Sequence, residues 1–308
     1  MKVPILFLIY NRSYEALRVM DAIKKYKPEK LYIAADGPKK NQSKEKEECN
    51  YVRESVLREI NWDCKITTLF RNENLGCKIA VSNALTWFFE LEEEGIILED
   101  DCLPNSSFFE FIEKMLEYYR FDSRIMHISG SNFQDGHLYN DDDYFFSKYA
   151  YVWGWATWRR SWRYYNNQIQ DEELWIFKKN YLKSIFPSIF ERYYWSKKLK
   201  EVAKNKIDTW DYQWNYTLWK QGGLAVVPNY NLVENIGFNS KGTHTKNKNN
   251  KFLTKFVIIN LNKLKYCKKF ICSNNNADRY SFFFWYSPLK NIIRLFISSK
   301  KPQNIVSN

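Results

Sequence analysis

The chain has 308 residues, of which 45% are apolar and 18% aromatic, and it carries a net charge of +12. Apolar content at this level excludes a disordered chain, and the length predicts one large α/β domain, alone or with an appendage. The basic balance leaves three partner classes open: nucleic acid, an anionic membrane, and phosphorylated small molecules.

The first 130 residues alternate strand and helix patterns. Val3–Tyr10 is a continuous apolar run, as expected of a strand buried on both faces. Tyr14–Lys25 places Leu17, Met20, Ala22 and Ile23 at helical spacing. Lys30–Ala35 reads as a strand stopped by Asp36-Gly37-Pro38. A helix begins at Asn41 or Ser43 and runs through Leu57, with Glu45, Glu47 and Glu48 near its positive end. Cys64–Phe70 is a third strand, and Asn74-Leu75-Gly76 leads into a helix through Leu91. Gly95–Leu98 is a fourth strand, followed at once by Glu99-Asp100-Asp101. Pro104–Ser107 opens a helix, with Ser107 and Glu110 as a capping box, and Ile125–Ser129 is a fifth strand. Repeated strand–helix units predict a mainly parallel sheet.

The second half is less regular. Tyr144–Trp162 is aromatic and is expected to pack on the sheet. Helical patterns cover Asp171–Tyr181, Ile189–Ala203 and Trp210–Lys220, and Leu224–Pro228 is a strand. Phe238–Lys251 is a long Gly-, Ser-, Thr-, Asn- and Lys-containing loop of the kind that carries function or disorder. The expected organisation is a domain over 1–250, with halves 1–130 and 131–250, and a basic, apolar appendage over 251–308. Within the appendage, residues 281–301 either dock on an anionic membrane or pack on the domain.

The strongest chemical signal is the apolar strand that ends in Glu99-Asp100-Asp101. Ligands of open α/β sheets bind at the carboxyl ends of strands. Mg²⁺ and Mn²⁺ favour carboxylate oxygens and bridge them to substrate phosphates.

These residues resemble the acidic metal-binding element of the GT-A glycosyltransferases, in the form found in N-acetylglucosaminyltransferase I and in bacterial family-two-like enzymes. The resemblance spans most of residues 1–245. It implies a GT-A fold, with a Rossmann-like, mainly parallel central sheet flanked by helices. It implies nucleotide contacts at Asn11 and Arg12 after the first strand and at Asp36 after the second. Asn74 and Lys78 match donor contacts at the start of the third helix, and Glu99 and Asp100 lie beside the donor. Asp101 matches the ligand of the Mn²⁺ or Mg²⁺ cofactor.

Further along, Val152–Trp158 resembles a Gly-Trp segment of the same enzymes, with Gly154 and Trp155 at the donor. Glycine between two tryptophans also suggests a close backbone approach. Trp210-Asp211-Tyr212-Gln213-Trp214 resembles the helix start that carries the catalytic base, except that Tyr212 stands where the second acid is expected. Asp211 is the candidate base, and Asp208 keeps the assignment open. Phe238–His244 resembles a loop that closes over the donor, which brings in Ser240 and Lys241 as donor contacts and His244 as a further metal ligand. His127, inside an apolar strand, is expected to be a satisfied core histidine.

The implied reaction is metal-dependent, inverting transfer of a sugar from a nucleotide-sugar, UDP-linked by preference, to a hydroxyl of a glycan, glycolipid or glycoprotein. A sugar-1-phosphate nucleotidyltransferase is the alternative, but the turn Tyr10-Asn11-Arg12-Ser13 lacks the glycines of its phosphate loop. A nucleic-acid partner is not expected, because the aromatics are spread along the chain and such binding leaves the acidic triplet without a role. The six cysteines lack zinc spacing and read as free thiols of a cytoplasmic protein, with the C-terminal segment as the candidate for peripheral contact with the inner face of the plasma membrane.

Overall fold

The computed structural model describes residues 2–170, 181–237 and 270–287. The first half holds β1 (Ile5–Ile9), α1 (Ser13–Tyr26), β2 (Lys30–Ala35), α2 (Ser43–Arg58), β3 (Lys65–Phe70), α3 (Gly76–Leu91), β4 (Glu94–Glu99), β5 (Cys102–Pro104), α4 (Ser106–Tyr119) and β6 (Ile125–Ser129). The second half adds β7 (Tyr144–Ser147), β8 (Trp155–Trp158), α5 (Arg159–Trp162), α6 (Tyr181–Ile185), α7 (Ile189–Ala203), α8 (Asp211–Gln221), β9 (Leu224–Pro228), β10 (Val233–Asn235), α9 (Asn275–Ser281) and a π-helical turn, Phe282–Tyr286.

The main sheet has eight strands in the order β3-β2-β1-β4-β8-β6-β9-β7. β3, β2, β1 and β4 are parallel, and β6 pairs in parallel with β9. β8 runs antiparallel between β4 and β6, and β7 runs antiparallel on the β9 edge. This is the expected α/β architecture, a large, mainly parallel, Rossmann-like sheet flanked by helices. The aromatic stretch after residue 143 does more than pack on the sheet, since it supplies two of the strands. One sheet joins both halves of the chain.

Residues alternate sides along a strand, so a strand covered on both faces must be apolar throughout. Ile5, Phe7 and Ile9 of β1 join one core with α1, α2 and α4, whereas Leu6 and Leu8 join a second core with α3, α7, α8 and α9. At the start of α4 the cap is Asn105, not the expected capping box, for its Oδ1 accepts from Ser107 N at 3.0 Å and Phe108 N at 3.1 Å. Asparagine at this position satisfies two amide groups that the helix cannot.

Residues 270–287 are held to β7 and its surroundings. Asn274 N donates to Phe146 O at 2.7 Å, Ser147 Oγ to Asp278 at 2.5 Å, and Gln134 Nε2 to Ser281 Oγ at 2.7 Å. Ala277, Phe282 and Phe284 are buried. The described part of the expected appendage is thus packed on the domain, and residues 288–301 lie outside the described residues. No helix among the described residues is long and apolar enough to cross a membrane.

His127 is fully buried, as expected of a core histidine. Its Nδ1 accepts from Trp214 Nε1 at 3.1 Å, which leaves the proton on Nε2, 3.0 Å from Tyr151 O. Burial lowers its pKa from 6.5 to about 3. The unfolded chain therefore binds a proton here at pH values where the fold does not, and stability rises with pH across that window. Its contribution is complete above about pH 6.5 and is lost as pH falls toward 3. The difference in folding free energy between pH 7.5 and 4.5, from urea titrations, is expected to shrink by on the order of 2 kcal/mol in His127→Gln.

Candidate active site

β1 and β4 are neighbours at the centre of the sheet, and the strand order reverses between them. Doubly wound sheets bind ligands in the crevice at such a reversal, beyond the carboxyl ends of the strands. The parallel register pairs Leu8 with Glu99, so Tyr10-Asn11-Arg12 and Glu99-Asp100-Asp101 leave the sheet side by side.

Arg12 bridges the two chain ends. Its Nη1 donates to Asp101 Oδ2 at 2.7 Å and its Nη2 donates to Asp100 Oδ1. The backbone N–H of Tyr10 donates to Asp100 Oδ2 at 3.2 Å. Burial disfavours the guanidinium charge, but the two aspartates outweigh it and hold the pKa above its ordinary value. Asp100 and Glu99 both keep their protons to higher pH than ordinary carboxylates. For Asp100 the cause is burial, opposed by Arg12. For Glu99 it is burial, then the charges of Asp101 and Asp100, with Asp211 adding to the same effect. The site holds more acid than its one guanidinium neutralises.

Aromatic packing connects Asp211 to the strand beside this cluster. Trp155 opens β8 opposite Ile97, two residues before Glu99. Its ring stacks on Trp210 with centroids 5.5 Å apart, and Asp211 follows as the first residue of α8. Asp211 Oδ1 accepts from Tyr212 N at 3.0 Å and from the Thr209 hydroxyl. Asp208 is engaged elsewhere: its Oδ1 accepts from Lys78 N at 3.1 Å, in the first turn of α3.

The remaining expected residues divide by role. The Asp36 carboxylate accepts from Gly37 N, Leu75 N and Gly76 N at 2.9–3.1 Å, so it binds the turn before α3 and the helix N-terminus. Burial raises its pKa and those backbone bonds oppose the rise. Asn74 Nδ2 ties Tyr10 Oη at 3.2 Å to Gly37 O at 2.8 Å. Lys78 is buried and its ammonium reaches Asn205 Oδ1 at 2.9 Å. Asn11 Nδ2 lies 3.5 Å from Glu45 Oε1, beside a hollow of about 550 Å³ lined by Asn11, Arg12, Gln42 and Ser43 at the start of α2. A larger cavity, about 970 Å³, lies between α1 and α4 and touches none of the acids. Gly154 has φ +58°, its carbonyl accepts from Gly130 N at 2.7 Å, and a β-carbon there would stand 2.7 Å from Val233 Cγ2. The close approach expected at Gly154 is present. Ser240, Lys241 and His244 lie outside the described residues.

The short β5–β10 ladder was not expected from the sequence. It pairs Asn235 with Cys102, and Ile236 N then donates to Asp101 O at 2.8 Å. This lays Gly237 against Asp101 and Arg12. The Cys102 thiol, whose pKa burial raises, lies 3.6 Å from Asp101 Oδ1 and donates to it. A glycine just before the polar loop was the one available sequence signal for this contact. Among the described residues no three His, Cys, Asp or Glu side chains gather to hold a metal by themselves. A hard cation at this site would therefore need substrate phosphates and water to complete its shell.

Comparison with protein-family models and with curated proteins gives no match. Among solved structures, the chain is similar to HddC from Yersinia pseudotuberculosis at 13% identity and a TM-score of 0.34, over 51% of this chain and 77% of that one. It is similar to a UDP-glucose pyrophosphorylase complexed with UDP-glucose at 9% identity and a TM-score of 0.34, over 53% and 79%. Mouse xyloside xylosyltransferase 1 aligns at 12% identity and a TM-score of 0.33, over 70% and 81%. Likenesses this distant bear on neither substrate nor reaction.

Gly237 offers a direct probe of the site. A β-carbon at 237 would overlap Asp101 Oδ2 and stand 2.7 Å from Arg12 Nη1. Gly237→Ala is expected to lower the thermal midpoint by a few degrees, because Asp101 or Arg12 must shift, read by differential scanning calorimetry.

Proposed function

We propose that the chain is a glycosyltransferase that moves a sugar, with inversion, from a nucleotide-sugar to an acceptor hydroxyl. The observation that carries this reading is the bridge from Arg12 to Asp100 and Asp101 at the reversal of the sheet, with Glu99 beside it and the charge of Asp211 acting on Glu99. Acids in such excess suit a ligand that arrives with a cation and a diphosphate.

In this reading the nucleotide enters the hollow beside Arg12 and the start of α2. A Mn²⁺ or Mg²⁺ ion bound to Asp101 would neutralise charge on the leaving diphosphate. Arg12 holds Asp100 and Asp101 in place and presents positive charge to the phosphates. The acceptor oxygen attacks the anomeric carbon, the bond from that carbon to the phosphate oxygen breaks, and the diphosphate leaves with the electron pair. Asp211 takes the acceptor's proton. Trp210 and Trp155, both buried, stack behind Asp211 and fix the start of α8 that carries it. Asp211 is preferred to Asp208 as base because its charge acts on Glu99, whereas Asp208 lies against the first turn of α3. Glycan, glycolipid and glycoprotein acceptors are all compatible with this chemistry, and a UDP-sugar is the preferred donor. A sugar-1-phosphate nucleotidyltransferase remains the second reading. The turn after β1 argues against it, because Arg12 and Asn11 stand where a glycine-rich phosphate loop is needed.

Three variants separate the roles. Asp101→Ala is expected to abolish the Mn²⁺-dependent stabilisation by nucleotide-sugars, in a thermal-shift series over UDP-, GDP-, dTDP- and CMP-sugars, with the fold retained. Asp211→Asn is expected to bind donor normally and to lose transfer by roughly 10²–10⁴. Asp208→Asn is expected to cost about 1 kcal/mol of stability and to leave the transfer rate within about threefold. Near-normal transfer by Asp211→Asn rejects the assignment of the base.

A further inference from the structure

The outward face of α7 has an unusual composition. α7 turns Glu191, Trp195, Leu199 and Val202 inward, where all four are buried. That fixes which residues face out. Ile189 is 66% exposed, Phe190 63% and Tyr193 73%. Lys197, Lys200 and Lys204 are exposed further along the same helix, and Lys183 is exposed on α6. At 3.6 residues per turn, Ile189, Phe190, Tyr193, Lys197, Lys200 and Lys204 fall within about 100° of arc. The outer stripe is thus aromatic and aliphatic for its first turn and basic for the rest.

The apolar turn is held out by the fold. Arg192 Nη1 donates to Phe186 O at 2.9 Å and to Pro187 O at 2.8 Å, which fastens the turn between α6 and α7. Phe186 beneath it is fully buried. Phe190 also meets Phe283 of the π-helical turn, with centroids 6.4 Å apart, so the apolar patch continues onto the C-terminal segment. The acids of this helix are spoken for. Glu191 is buried against Lys148 Nζ at 3.1 Å, and Glu201 pairs with Lys198 at 2.7 Å. Lys183, Lys197, Lys200 and Lys204 make no salt bridge among the described residues.

We propose that this face of α7 docks on an anionic bilayer, with Ile189, Phe190 and Tyr193 entering the headgroup boundary and Lys183, Lys197, Lys200 and Lys204 lying over acidic headgroups. Singly exposed apolar residues need no explanation, but three on one turn form a patch. Beside them stands a row of exposed lysines that outnumbers the acids of the helix, and the whole chain is at +12. Charge of that sign over an apolar edge complements an acidic lipid surface. A bilayer accepts cations at any spacing, whereas a protein partner needs matched acids. The inference is independent of the transferase reading. It centres the membrane contact on a helix of the domain, with Phe283 of the C-terminal segment at its edge.

The test is co-sedimentation of the full chain with phosphatidylcholine vesicles, with and without phosphatidylglycerol. Wild-type protein is expected to bind the anionic vesicles and to ignore the neutral ones. The triple variant Ile189→Ser, Phe190→Ser, Tyr193→Ser and the triple variant Lys197→Glu, Lys200→Glu, Lys204→Glu are each expected to bind about tenfold or more weakly. Both are expected to keep the wild-type thermal midpoint, because every changed side chain is exposed. A Lys290→Glu, Arg294→Glu variant serves as the comparison on the C-terminal segment. The proposal is overturned if wild type does not bind anionic vesicles, if the α7 variants bind as wild type does, or if only the Lys290→Glu, Arg294→Glu variant loses binding. It is also overturned if light scattering shows that the α7 variants convert a dimer to a monomer, which would make the face a contact between two copies of the chain.

Discussion

The guanidinium of Arg12 spans Asp100 and Asp101 and so joins the turn after β1 to the end of β4. The contact exists because β1 and β4 run parallel in a register that ends both strands at the same level. Consecutive carboxylates that are taken out of water repel one another and tend to hold protons, as the raised pKa values of Glu99 and Asp100 record. The planar guanidinium, with its donors in a fixed fork, satisfies two of them at once. The crevice, the hollow beside α2 and the seating of Gly237 all take their positions from this bridge.

The second half of the chain is brought to the bridge by tryptophan. Trp155, Trp210, Trp162 and Trp214 form a run of ring contacts with centroids 5.2–6.4 Å apart, and His127 stacks on Trp155 from within. Rings of this size bury large areas and restrict one another's orientation. Their packing sets α8 beside β8, and α8 begins with Asp211. The antiparallel insertion of β8 between β4 and β6 is what makes this possible, because it returns residues 153–155 to the end of β4 where the acids emerge.

Charge inside the second core follows the same economy. Lys148 pairs with Glu191 at 3.1 Å, and Glu191 also accepts from Tyr149 Oη at 2.7 Å. Asp278 accepts from Ser147 Oγ at 2.5 Å, while burial raises its pKa to about 7. Buried ion pairs seldom add net stability, but removing one partner strands the other. This network commits residues 270–287 and α7 to fixed places, and it is why the lysine-bearing outer face of α7 has a defined orientation.

The first four strands and three helices were legible because their pattern is local. Lys30–Ala35, Ile125–Ser129, Leu224–Pro228 and Ile189–Ala203 have the limits their apolar spacing predicts. β7 and β8 were not, since aromatic residues suit both a strand and a packed loop, and only the neighbouring strands decide between them. β5 and β10 are three residues each, too short to carry a period. Asn105 displaced the expected capping box because cap choice depends on which side chain reaches the free amides.

The same division runs through the candidate site. That three acids end an apolar strand, and that Arg12 follows another, is written in the chain, because a strand's end and its polar turn are contiguous residues. That Arg12 grips Asp100 and Asp101, that Asp36 and Asp208 accept from amides of α3, and that the start of α8 with Asp211 is set by a stack of tryptophans are matters of register and packing between distant segments. Local sequence sets which groups are polar and where strands stop. Only the tertiary structure decides which carboxylates are consumed in holding the fold together and which remain beside the crevice, because that depends on which backbone N–H groups and cations the folded chain brings within reach of each.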